Sequence, residues 1–216
     1  MNKKIKEVIE ILEKYFNYSE KTTLNKMRKK PDAFKILISC LLSLRARDEN
    51  TEKVSRELFK YIKKPEDLVK INIKKLEKII YSSGHYHKKA RVLKLVSKEL
   101  IKRFQGRVPD TRKDLLSIKH IGPKTANIVL NFAYGQCVIP VDTHCHRVPN
   151  RLGWIKTKTA EKSEIELNKI IDDKYKCEFN GIFVLFGREI CTPLSPKCSI
   201  CPVLELCLRI NVVRSR

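Results

Sequence analysis

Four cysteines lie within seventeen residues near the C-terminus: Cys191, Cys198, Cys201 and Cys207, separated by six, two and five residues. Thiolates crowded this tightly can ligate one metal centre, and the chain between them must then fold back around it. The stretch MNKKIKEVIEILEKYF at the start has no apolar run of signal-peptide or membrane length. The expectation is a soluble, cytoplasmic protein of a prokaryotic cell, where thiols stay reduced and cysteine clusters serve more often as metal ligands than as disulfides.

Charge points to the kind of partner. Lys and Arg number 46 against 24 acidic residues, a net charge of +22 spread along all 216 residues. An excess of this size favours a polyanion, because every phosphate neutralised releases counterions. A lysine-rich thermophile surface is the bland alternative, but it usually carries matching glutamate. Here acids run at about half the bases, which favours nucleic acid. Without a basic amphipathic anchor carrying an aromatic face, membrane binding is not expected.

The apolar pattern is helical nearly throughout. Ile5, Val8, Ile9, Leu12, Tyr15 and Phe16 recur at helical spacing. Residues 33–46 (AFKILISCLLSLRA) are apolar on most sides and should lie at the centre of a core. Asp48 is placed to cap a helix over 49–63, with Val54, Leu58 and Ile62 on its inner face. Pro65 starts a short helix, residues 73–82 form another ended by Gly84, and 87–104 follow with Val92, Leu93, Val96 and Leu100 inward. Helices over 111–118, 123–134, 143–152, 159–172 and 178–189 complete the reading. Only 137–141 (CVIPV) is β-branched, and Pro140 interrupts it. Many short-looped helices make an all-α fold.

Residues 115–135 read LLSIKHIGPKTANIVLNFAYG. A short helix runs into a tight turn at His120-Ile121-Gly122, and Pro123 opens the next helix at the position where its missing N–H costs nothing. The exposed N–H groups and positive helix end there suit a phosphate and read no base. Lys124 falls in the first turn of that helix. The positive helix end disfavours an ammonium, the form that a nucleophilic amine must shed. Asp142, eighteen residues on in VDTHCHR, is a carboxylate that could accept and return a proton.

With these residues in hand, the chain resembles the endonuclease III family of DNA base-excision glycosylases, of the helix-hairpin-helix, Gly/Pro-Asp type. The resemblance spans essentially the whole length. It rests on LLSLRARD (41–48), SSGHYHKKA (82–90), IGPKTANIVLNFAYG (121–135), VDTHCHRVPNRLG (141–153) and the cysteine spacing. It implies two helical domains with DNA in the cleft between them. One would be a six-helix barrel over 20–135 holding the hairpin at about 115–135, the other a discontinuous domain of 1–19 and 136–216. By the family's pattern Lys124 attacks C1′ of the damaged nucleotide, Asp142 assists departure of the base, and a Schiff base leads to β-elimination 3′ to the abasic site. The implied substrate is double-stranded DNA carrying oxidised pyrimidines or abasic sites, and the implied protein a nucleoid-associated monomer. From spacing alone structural zinc suits the cysteines equally; the resemblance implies a [4Fe–4S] cluster on Cys191, Cys198, Cys201 and Cys207. Lys197, in the Cys191–Cys198 loop, would contact phosphate. A mismatch glycosylase for thymine, uracil or adenine and a non-catalytic iron–sulfur DNA-binding protein are the alternatives.

Three positions depart from the family's usual pattern. His120 replaces the first of the hairpin's two glycines, keeping Gly122, although a side chain is penalised where φ is positive. Arg45 stands where a gap-filling Gln is common, and His85 where a large apolar wedge is common. An Arg in the gap would pair best with guanine, implying lesions opposite guanine. Cys40 reads as core, and Trp154 as a packing residue.

Overall fold

The computed structural model describes residues 1–17, 31–44 and 48–216, and among them it is helical with no strand. The helices are α1 (Lys3–Phe16), α2 (Ala33–Ser43), α3 (Asp48–Tyr61), α4 (Pro65–Lys70), α5 (Ile73–Ile79), α6 (Tyr86–Phe104), α7 (Arg112–Ser117), α8 (Pro123–Tyr134), α9 (Thr143–Leu152), α10 (Ala160–Ile170) and α11 (Asp173–Glu189). One-turn 3₁₀ helices sit at Tyr81–Ser83, Cys198–Ile200 and Leu204–Leu206. The chain divides into two compact units, Met27–Tyr134 and a discontinuous one of Met1–Lys26 with Gly135–Arg216.

In the continuous unit α2 is the central helix. It packs on α3, α6 and α8, and every residue from Ile36 to Leu42 is buried. A helix apolar on all sides can exist only when neighbours cover all of it. The matching face of α8 buries Ala126, Val129, Leu130 and Phe132, and α6 buries Leu93, Val96 and Leu100.

The discontinuous unit is built around α11. Phe179, Ile182, Phe183 and Phe186 bury α1 on one side and α9 on the other. Phe179 and Phe183 stack at 4.1 Å, and Trp154 meets Phe183 edge-on at 5.5 Å, so this tryptophan is a packing residue. α1 presents Ile5, Val8, Ile9, Leu12 and Phe16 to the same core.

Several boundaries differ from the sequence expectation for local reasons. α2 stops at Ser43, not Ala46: the Ser43 hydroxyl donates to the Cys40 carbonyl at 2.8 Å and competes with the helical bond. Asp48 is the first residue of α3 and not its cap. That helix ends at Tyr61 because Asp67 Oδ2 accepts from the Lys63 and Lys64 amides, at 2.8 and 3.1 Å, drawing 63–64 into the start of α4. α11 begins five residues before the expected 178, at Asp173, because Tyr175 is buried there and donates to Glu10 of α1 at 2.9 Å. Cys137–Val141 is not a strand. It runs without secondary structure, sinking Ile139 and Val141 into the core.

The side chain of Phe16 is 1 % exposed and meets Phe186 edge-on at 6.5 Å. Phe16→Ala should therefore destabilise the discontinuous unit by about 3–5 kcal/mol, the usual cost of a phenylalanine-sized cavity. A thermal melt followed by circular dichroism checks this; an unchanged melting temperature would mean that α1 is not integral to that unit.

Candidate active site and metal centre

The helix-hairpin-helix of 111–134 is assembled from local bonds. Thr111 caps α7 through its hydroxyl, which accepts from the Asp114 amide at 3.1 Å, and Ser117 closes it by donating to the Asp114 carbonyl at 2.6 Å. Arg103, near the end of α6, donates to the Ser117 carbonyl and hydroxyl at 3.1 and 2.7 Å and ties the hairpin to the unit. Within the turn Ile118 and Ile121 are buried, and the Ile121 amide donates to the Ile118 carbonyl at 3.1 Å. Lys119, His120, Gly122, Pro123 and Lys124 are all exposed.

His120 holds φ at +76°. The turn thus keeps the left-handed geometry that a glycine would supply freely, at roughly 1 kcal/mol for a residue with a side chain, and the exposed imidazole is set beside the open end of α8. Space is not limiting at Gly122, where a Cβ would meet no atom within 4 Å. The Ala126 amide donates to the Gly122 carbonyl at 2.9 Å, so the preceding amides of this first turn are the ones that carry the positive end of the helix dipole. Lys124 therefore sits, exposed, at that positive end. His85 is likewise exposed and left-handed, with φ +49°, just before α6 and after Gly84 at +68°. Arg45 lies outside the described residues.

Asp142, in the discontinuous unit, is half-buried and caps α9. Its Oδ1 accepts from the His144 and Cys145 amides, both at 2.9 Å. The extended chain leading to it is held by buried Asn180 of α11, whose Nδ2 donates to the Pro140 carbonyl at 2.7 Å. Beyond the cap, burial lowers the His144 pKa, and its Nδ1 lies 3.2 Å from Arg147 Nη2. A Cβ on Gly187 of α11 would come within 2.5 Å of that Nδ1, which is why α9 and α11 can approach so closely here.

All four cysteines of 191–207 line one pocket with Leu152, Phe186, Ile190, Leu204 and Val212. Four thiols around one pocket fit a polynuclear cluster, each iron taking one thiolate. Their electrostatics agree: burial pushes the Cys201 thiol up to about 11, reinforced by Cys207, Cys191 and Cys198, and burial also raises Cys207. A bound cation would favour the thiolate forms of these two.

Two arginines on one face of α9 organise the entry to this pocket. Arg151, 9 % exposed, donates to the Thr192 carbonyl at 2.7 Å, the Pro193 carbonyl at 2.5 Å and the Cys191 sulfur at 3.4 Å. Arg147 reaches the Gly187 and Cys191 carbonyls at 2.8 and 3.0 Å. α9 thus carries Asp142 at one end and grips the Cys191 loop from its other face. Neither arginine has an assigned role in the sequence reading; their i, i+4 spacing in HRVPNR is the signal that could have raised one. Lys197 is half-buried at the pocket wall.

Comparison with known proteins follows this geometry. Residues 38–173 match the HhH-GPD superfamily of base excision DNA repair proteins, and residues 191–207 match the iron–sulfur binding domain of endonuclease III. The chain belongs to the endonuclease III family. It is 43 % identical to endonuclease III of Thermotoga maritima over 83 % of this chain and 84 % of that protein, and 37 % identical to endonuclease III of Buchnera aphidicola over 81 % of each. A trapped endonuclease III–DNA covalent intermediate superposes with a TM-score of 0.85 at 32 % identity, covering 97 % of both chains. A thermostable thymine-DNA glycosylase also scores 0.85, at 26 % identity over 96 % of this chain and 97 % of that one. The iron–sulfur domain match selects iron–sulfur over the zinc that spacing alone left open.

Two outcomes follow. Arg151→Met strands the Thr192 and Pro193 carbonyls, and Arg151→Lys lacks the planar fork that reaches both. Both variants should lose iron faster than wild type on mild heating, read from the visible absorption band. Because each thiol must shed a proton to bind iron, reconstitution of metal-free protein should rise with pH between about 6.5 and 8.5; flat loading over that range would contradict the raised thiol pKa values.

Proposed function

We propose that this protein is a bifunctional base-excision DNA glycosylase and abasic-site lyase acting on oxidised pyrimidines in double-stranded DNA, as a monomer. The observation that carries this reading is Lys124, an exposed amine at the positive end of α8, directly after an anchored hairpin turn. The trapped covalent DNA intermediate of a relative with the same fold supports a covalent route. In this reading the Met27–Tyr134 unit is the barrel domain, and the discontinuous unit is the cluster domain.

Lys124 Nζ attacks C1′ of the damaged nucleotide as the glycosidic bond breaks toward the base, which leaves with the bonding electrons. Asp142 stabilises the developing positive charge at C1′ and handles the proton of the attacking amine. Ring opening gives a Schiff base, and loss of a C2′ proton expels the 3′ phosphate by β-elimination. The hairpin amides, Gly122 and His120 hold the backbone by phosphate contacts that read no base. His85 acts as the wedge and Arg45 as the gap-filling residue. Cys191, Cys198, Cys201 and Cys207 would hold the [4Fe–4S] cluster, which would keep the Lys197 loop shaped for phosphate.

Lys124→Gln should abolish borohydride trapping on abasic DNA while changing duplex affinity by no more than about threefold, since affinity comes from phosphate contacts elsewhere. Asp142→Asn is a clean partner, because asparagine caps a helix as well as aspartate does. It should slow base release yet spare lyase action on a preformed abasic site. Trapping that survives Lys124→Gln would remove the nucleophile assignment.

The thymine-DNA glycosylase of equal TM-score favours a second reading, removal of a mismatched base. Turnover of a panel of defined duplexes separates the two. The same panel tests Arg45: one lesion should be processed faster opposite guanine than opposite adenine, and Arg45→Gln should erase the difference.

A further inference from the structure

Among the described residues Lys89 is the one buried lysine, at 7 % exposure, and its contacts are unusual. From α6 its Nζ donates to the Leu42 carbonyl at 2.7 Å and to the Ser83 carbonyl at 2.6 Å. Leu42 lies in the last turn of α2, where carbonyls have no intrahelical partner. Ser83 ends the 3₁₀ turn that delivers Gly84 and His85. One ammonium thus caps two chain ends 41 residues apart, complementing the negative end of α2. Ser83 is further locked by its own hydroxyl, which donates to the Ile80 carbonyl at 2.7 Å. Burial lowers the Lys89 pKa, and the two carbonyl acceptors offset part of the cost of desolvating the ammonium.

We propose that Lys89 is a positioning residue for nucleotide eversion: its ammonium pins the end of α2 to the Ser83 carbonyl and so fixes the backbone that presents His85 to the duplex. This rests on the glycosylase reading above and adds to it a residue that touches no DNA. A left-handed His85 has no intrinsic preference for its conformation. The Ser83 anchor on one side and the start of α6 on the other impose it, with the Lys89 amide donating to the His85 carbonyl at 3.0 Å. Lys89 therefore holds the wedge residue twice, through its backbone and through its side chain.

Eversion is demanding for a paired, stacked base and least so for an abasic nucleotide. The two substrates therefore separate positioning from general damage to the fold. Single-turnover base removal from a thymine glycol duplex and borohydride trapping on an abasic duplex should be measured for wild type, Lys89→Met, Lys89→Gln, Lys89→Arg and, as a charge-matched neighbour, the exposed Lys88→Met. Cluster absorbance and melting temperature report folding. Lys89→Met should slow base removal by about tenfold or more while trapping falls by less than about threefold, because the abasic nucleotide has no paired, stacked base to extract. Lys89→Gln, which keeps one donor, should show the same split at smaller amplitude, and Lys89→Arg should recover most of the rate. Adding His85→Ala to Lys89→Met should cost little more than the worse single change, since both act on one wedge.

Base removal by folded Lys89→Met or Lys89→Gln within about twofold of Lys88→Met would overturn the proposal, as would parallel loss of both activities, since damage confined to eversion must separate them. If Lys89→Met does not fold, the Lys89→Gln split decides. A wild-type protein that neither removes the base nor traps would sink the glycosylase reading and this inference with it, an outcome distinct from active wild type with indifferent variants.

Discussion

The aromatic face of α11 is the contact on which the discontinuous unit depends. Phe179, Phe183 and Phe186 lie on its buried side, and their burial joins α1 to α9 across more than a hundred residues of sequence. Without that face the N-terminal helix has little apolar surface to cover, because α1 is mostly charged outside its Ile5–Phe16 stripe. The same helix delivers Cys191 at its C-terminal end and accepts α9 at Gly187, where no side chain larger than hydrogen fits beneath His144. Packing on one helix thus brings the Asp142 cap and the cluster loop under common control, through Asn180 at one end and the Arg147 and Arg151 contacts at the other.

The continuous unit follows another logic, in which a small amount of backbone strain is spent on presentation. Two exposed histidines, His85 and His120, are held at positive φ, where a glycine would sit without penalty. Each is braced by buried neighbours: Ile118 and Ile121 beside His120, Ser83 and Lys89 beside His85. Bracing of this kind turns an otherwise unfavourable conformation into a fixed one, and it leaves an imidazole at the surface where a glycine would leave nothing. In a chain with 46 basic residues the specific structural use of a charge is easily lost among the rest; among the described lysines Lys89 alone is buried.

Much of the architecture was legible along the chain because the signals are local. Helical spacing in 3–16 and 123–134, Pro123 at the first position of α8, and Gly153 after α9 each mark an element from its own residues. The all-α class and the family follow from such signals together with the order of the motifs. A metal-binding loop was readable from four cysteines, although the metal was not, since zinc and iron accept the same spacing. Errors fell where a side chain overrode local propensity, as with Ser43 shortening α2, Asp67 drawing 63–64 out of α3, and the buried Tyr175 extending α11 forward.

What the sequence determined by itself is the set of amphipathic helices, the turn between α7 and α8, and a thiol spacing able to surround a metal centre, because each depends on residues within a few positions of one another. Tertiary structure alone decided which lysine of the many is buried, which carbonyls it joins, and that Arg147 and Arg151 of α9 close on the Cys191 loop about forty residues later. Those choices rest on burial and on hydrogen-bond geometry between distant segments. Neither leaves a periodic trace in the order of residues.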